Sequence, residues 1–162
     1  MNNAWRAAWV AWDQTQPLVE KMVTRVGLGL LLRTGQAPTI GALAAELVQA
    51  EEKDVARILE TMASRGLATL DGDRLTGIGG LSVVPGPHHL QWNQRQFWTW
   101  CALDAVGIPA ALNGQVRVES SIFPDGEPVT LAFQDGKWVN SQVGLGIQMA
   151  PPETGRPLNT GT

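Results

Sequence analysis

The apolar residues of this chain change their spacing along its length, and that change restricts the fold more than any other feature. In the first third, Leu18, Val19, Met22, Val23, Val26, Leu30 and Leu31 recur at close to helical spacing, and Gly35 supplies a C-terminal stop. Upstream, Trp5, Trp9 and Trp12 share one helical face, where large rings most often serve packing. Thr39 follows Pro38 as an N-cap for a short helix. A further helix places Val55, Ile58, Leu59 and Met62 on one side and closes at Gly66. Two short strand-like runs then flank Asp71-Gly72-Asp73, a hairpin turn signal.

Beyond Gly80 the pattern changes again. Pro85 and Pro87 around Gly86 predict an extended strand ending in a rigid turn, and a boundary between subdomains. From residue 116 onward the sequence alternates like antiparallel strands, with turns at Asp125-Gly126 and Asp135-Gly136. The expected fold is therefore α+β. A winged helix-turn-helix-like three-helix domain (1–80) precedes a region (81–150) built from a small mixed or antiparallel sheet and a helix carrying Cys101. A flexible Pro/Gly/Thr-rich tail (151–162) completes it.

A three-helix unit followed by a hairpin suggests DNA binding, but the charge argues otherwise. The helix that would enter the major groove carries Glu51, Glu52, Asp54 and Glu60 against Lys53, Arg57 and Arg65, and the chain has a net charge of -3. Phosphate neutralisation needs the opposite sign, so nucleic acid is not the expected partner. The longest apolar run, at 26–32, is far short of the ~20 residues a membrane helix requires, and no signal peptide is visible, so a cytoplasmic location is expected. A single cysteine excludes an internal disulfide and a zinc site of the cysteine-rich finger type.

That cysteine lies in "FWTWCALDAVGIP". From Arg95 to Leu112 the run is apolar enough to predict a helix, ended by Pro109, in which Cys101 and Asp104 occupy one face at i and i+3. Two readings follow. Cys101 is a small buried hydrophobe beside a capping carboxylate, or it is a soft-metal thiolate ligand whose proton is handled by Asp104.

The stretch from Leu81 to Phe133 resembles the organomercurial (alkylmercury) lyases. The likeness rests on the turn with Pro85, Pro87 and His88, the "WCALD" core, Pro109, the "V-x-S" strand and "G-x-P-V-x-L" at Gly126 to Leu131, and extends over residues 35 to 133. It implies a winged-helix-like N-terminal region and a mixed α/β catalytic region that cleaves carbon–mercury bonds by protonolysis. It further implies Cys101 as the mercury-binding thiolate and Asp104 as the proton shuttle. No cofactor is implied. External small-molecule thiols would remove Hg(II), with mercuric reductase as an acceptor.

The chain departs from this family at two places. The resemblance implies a second essential cysteine in a C-terminal segment, and this sequence has none; where many members carry a further cysteine it has Ile122 or Phe123. One expectation is that the chain stops short of the second thiol, including by a codon read as selenocysteine. Another is that a small-molecule thiol shares the work, with His88 or His89 as weaker partners. The alternatives to an enzyme are a noncatalytic mercury or copper binder and a metal-responsive winged-helix regulator.

Overall fold

The computed structural model describes residues 14–48, 50–122, 126–140 and 147. The expectations for Trp5, Trp9, Trp12, Phe123, Asp125 and the 151–162 tail lie outside these residues. Three helices come first: α1 (Leu18–Thr34), α2 (Ile40–Glu46) and α3 (Glu52–Ser64). Gly35 ends α1 in the left-handed conformation at φ 70°, its N–H bonded to the Leu31 carbonyl, as its position predicts. Thr39 caps α2 by accepting a hydrogen bond from the Ala42 amide at 3.1 Å. Replacing Thr39 with Ala leaves that amide without its acceptor, so Thr39→Ala lowers stability by about 1 kcal/mol, readable as a shift in the urea midpoint at unchanged slope.

The strands are β1 (Ala68–Asp71), β2 (Arg74–Ile78), β3 (Leu81–Ser82), β4 (His88–Trp92), β5 (Arg95–Thr99), β6 (Gln115–Ile122), β7 (Glu127–Gln134) and β8 (Lys137–Trp138). One helix, α4 (Ala102–Ala110), lies between β5 and β6. They form one eight-stranded sheet in the order β1-β2-β3-β5-β4-β6-β7-β8. Every pairing is antiparallel. The hairpin after α3 is thus hydrogen-bonded, through β3, to the sheet that carries the cysteine.

The core is continuous from the helices into this sheet. Val23 and Leu31 of α1, Leu43 of α2 and Val55, Leu59 and Met62 of α3 cluster with Leu75 and Ile78 of β2, and the same cluster takes in Leu90, Phe97, Val118 and Ala105. Burial of such side chains stabilises by roughly 1.5–3 kcal/mol each. At one edge of the helical layer, Arg65 reaches both carboxylate oxygens of buried Glu20, at 2.7 and 3.0 Å, and ties the end of α3 to α1.

The segment around the cysteine differs from its predicted helix. Residues 95–99 are strand, and the helix begins only at Ala102, with Cys101 as its N-cap in an extended conformation (φ -144°, ψ 168°). The reason is a period of two hidden inside an apolar run: Phe97 and Thr99 are fully buried on one face, while Gln96 and Trp98 turn to the other. Pro109 does not end α4 either. The helix runs one residue further, because the carbonyls of Ile108 and Pro109 still accept the closing bond from the Ala111 amide.

Candidate active site

Cys101 and Asp104 meet where β5 gives way to α4. As N-cap and third helical residue they face one another, and the Cys101 thiol donates to Oδ2 of Asp104 at 3.0 Å. The i, i+3 spacing therefore brings the pair together, through capping geometry rather than through a shared helical face. The Cys101 carbonyl starts the helix by accepting from the Ala105 amide at 3.0 Å. On the other side the junction is fastened to the β2–β3 turn by a bond from the Trp100 amide to the Gly80 carbonyl at 3.1 Å.

Gly80 shapes the seat of the carboxyl group. Its φ is +86°, and a Cβ built there would lie 2.4 Å from both Cγ and Oδ1 of Asp104 and 2.8 Å from Oδ2. The carboxyl is thus pressed against a bare α-carbon, and no larger residue leaves it room. Sequence reasoning missed this residue. The Gly79-Gly80 pair signals a turn, but nothing local signals that a carboxylate far along the chain rests on it.

The pair is neutral on its sulfur side. Burial pushes the Cys101 thiol up to about 11, and the hydrogen bond and negative charge of Asp104 push the same way; the amides of Asp104 and Leu103 at the helix N-terminus oppose them in part. Burial likewise raises the Asp104 carboxyl above its ordinary range, while the bond from Cys101 draws it down. At neutral pH Cys101 therefore keeps its proton and donates it to the Asp104 carboxyl group. Alkylation of Cys101 by iodoacetamide should accordingly be slow at pH 7 and climb through pH 10–11. In Asp104→Asn, with the charge gone but the burial kept, that climb moves to lower pH while staying above the range of an exposed cysteine.

The two histidines lie on opposite faces of β4. His88 pairs with Thr99 in register, on the face that α4 covers, and its Nδ1 lies 2.6 Å from the Ser120 hydroxyl. Burial holds its imidazole below the ordinary value, so it is neutral at pH 7. His89 stacks on Trp98 with ring centroids 5.3 Å apart and turns Nδ1 to Glu119 at 3.4 Å, on the far face. The structure thus sets the two histidines on opposite faces of the sheet, and among the described residues neither is hydrogen-bonded to Cys101 or Asp104. Among the described residues no cluster of three or more His, Cys, Asp or Glu side chains forms a metal site. Among them, too, no helix is long and apolar enough to cross a membrane.

The thiol–carboxylate pair and its surroundings coincide with a known domain. The family model of the alkylmercury lyases matches residues 81–159. Over these residues the chain is similar to the alkylmercury lyases. Among similar proteins, the alkylmercury lyase of Bacillus cereus is 32% identical over 101 residues, covering 62% of this chain and 44% of its own length. That of Streptomyces lividans is 33% identical over 105 residues, covering 64% and 46%. The chain thus spans less than half the length of these curated alkylmercury lyases. In fold it is similar to the mercury-bound form of MerB2, with a TM-score of 0.68 at 23% identity over 78% of this chain and 61% of that one. The match to the alkylmercury lyase family model begins at β3, so Gly80, on which Asp104 rests, lies just ahead of it.

Proposed function

We propose that this protein is an organomercurial lyase that cleaves carbon–mercury bonds by protonolysis, with Cys101 and Asp104 as the catalytic residues. The observation that carries the proposal is the thiol of Cys101 donating to the buried carboxyl of Asp104 at 3.0 Å. An organomercurial R–Hg–X exchanges X⁻ for the Cys101 sulfur, and the thiol proton passes to Asp104. The carboxyl group then returns that proton to the carbon. The carbon–mercury electron pair becomes the new C–H bond, so R–H leaves and Hg(II) stays on the Cys101 thiolate.

Each step uses a property of the pair. A thiol held at about 11 keeps its proton until mercury, a far better partner for sulfur, replaces it. A carboxyl raised by burial is a stronger proton holder than an ordinary aspartate, hence a better match to the proton it must carry. Partial exclusion of water strengthens both effects. Small-molecule thiols then remove Hg(II), with mercuric reductase as a downstream acceptor.

In this reading residues 1–80 are a winged-helix-like scaffold, 81–150 the catalytic region and 151–162 a tail, in a cytoplasmic detoxification enzyme. The helix–helix–helix–hairpin order over residues 18–78 supports the scaffold, and the acidic first turn of α3, with Glu52 and Asp54, disfavours a DNA-binding regulator.

The test is hydrocarbon release from a simple arylmercury compound in excess monothiol. Wild-type protein releases the arene and Cys101→Ser does not. Mercury held at Cys101 with no arene formed would make the protein a soft-metal binder instead.

A further inference from the structure

Cys101 lies where no regular element holds it. β5 ends at Thr99 and α4 starts at Ala102, and Trp100 and Cys101 form a bend between them. Its neighbour Trp100 is tied twice to β2 and the turn that follows it. The Trp100 amide donates to the Gly80 carbonyl at 3.1 Å. The half-buried indole lies over Gly77: a Cβ built there would come within 3.1 Å of Trp100 Cζ2 and 2.6 Å of Thr69 Oγ1, so ring and threonine close on a bare α-carbon. Thr69 is fixed in turn by Thr76, whose hydroxyl donates to it at 3.0 Å. Gly80, a few residues along, is the seat of Asp104. The neighbour of the thiol and the carboxyl group thus rest on one short stretch, residues 77–80.

We infer that Trp100 is a positioning residue for the protonolysis: its indole, seated on Gly77, holds the Cys101 thiol against the Asp104 carboxyl group, an inference that rests on the function proposed above. A single amide bond leaves the bend free to swing about it, and a second contact, out along the ring, fixes its direction. Cys101 follows Trp100 directly, so a ring that leaves its seat carries the sulfur away from Asp104. A displacement of about an ångström at reacting groups costs about 10²-fold in rate. Trp98, two residues earlier, does not share the role, because its ring is stacked on His89 with centroids 5.3 Å apart. The contact also gives the β1–β2 hairpin a part in the site, since Thr69 and Gly77 both precede the residues 81–159 that match the family model.

The first readout needs no turnover. Cysteine labelled with carbon-13 at Cβ gives a single resonance, because the chain has a single cysteine. At pH 7 Asp104→Asn should move that resonance by taking the carboxylate from the thiol, and the size of the move reports how closely the two groups are held. In a Trp100→Leu background, apolar still but without the ring that covers Gly77, Asp104→Asn should move it by about half as much or less. Gly77→Ala, which keeps the indole but fills its seat, should act alike and supplies the comparison if Trp100→Leu fails to fold. Trp98→Leu should leave the move at its wild-type size. An equal move with and without Trp100, or none in wild type, overturns the inference. In the arene assay Trp100→Leu should still bind mercury and release arene about 10-fold more slowly or worse; release at the wild-type rate also overturns it. Wild-type protein that binds the arylmercury and forms no arene overturns the lyase reading instead, while the resonance still tells whether Trp100 holds the thiol to Asp104.

Discussion

Asp104→Asn is expected to reduce hydrocarbon release from an arylmercury compound by about 10²–10⁴-fold, the usual worth of a positioned proton donor. Mercury binding should persist, since the ligand is the Cys101 sulfur. The same variant should not be destabilised. Burial raises the folded-state value of Asp104 above that of the unfolded chain, so the stability linked to this group is fully present below the ordinary aspartate range and is lost as pH rises through the folded value. At neutral pH the buried carboxylate is therefore a cost. Asparagine keeps an oxygen to accept the thiol hydrogen and removes the charge. Asp104→Asn should unfold at an equal or higher temperature than wild type at pH 7, with the advantage gone at pH 3. A variant that loses both activity and stability at pH 7 would show that Asp104 is a structural cap rather than a reacting group.

Gly80→Ala should be as damaging to catalysis by an entirely different route. A Cβ at this position meets the Asp104 carboxyl at 2.4 Å, and the backbone at φ +86° is strained for any residue with a side chain. The left-handed backbone alone costs about 1–2 kcal/mol. Gly72, at φ +57° in the β1–β2 turn with nothing within 4 Å of its would-be Cβ, isolates that part. Gly72→Ala should lose about 1 kcal/mol and keep full hydrocarbon release. Gly80→Ala should lose more stability than this and drop release by about 10²-fold or more, because an ångström of displacement at a reacting group has that effect. Equal activity in the two alanine variants would mean that the seat of Asp104 does not matter.

The parts of this arrangement that the sequence discloses are local ones. Gly35 and Thr39 mark the ends of helices because their caps involve bonds to residues within four positions. Asp135-Gly136 marks the β7–β8 turn because both residues adopt positive φ, at 49° and 73°. The Cys101–Asp104 contact is legible for the same reason, since a thiol and a carboxyl three residues apart meet both within a helix and across its N-cap. What misleads is the run from Phe97 to Trp100. Its apolar content reads as helix, and only its alternation, with Phe97 and Thr99 inward and Trp98 outward, shows the strand that carries the cysteine to the start of α4. Gly80 against Asp104, and His88 beside Ser120, depend on strand register between distant segments, which no local pattern encodes.

The most direct test of the central claim is a single turnover of an arylmercury compound in D₂O, with protein in excess and the arene analysed by mass. Wild-type protein should release one arene per mercury bound, each carrying a single deuterium at the carbon that bore the metal, and Asp104→Asn should hold the arylmercury intact over the same time. Arene formed equally fast by Asp104→Asn, or arylmercury that stays whole on wild-type Cys101, would contradict a thiol and carboxyl acting together as the proton-transfer pair.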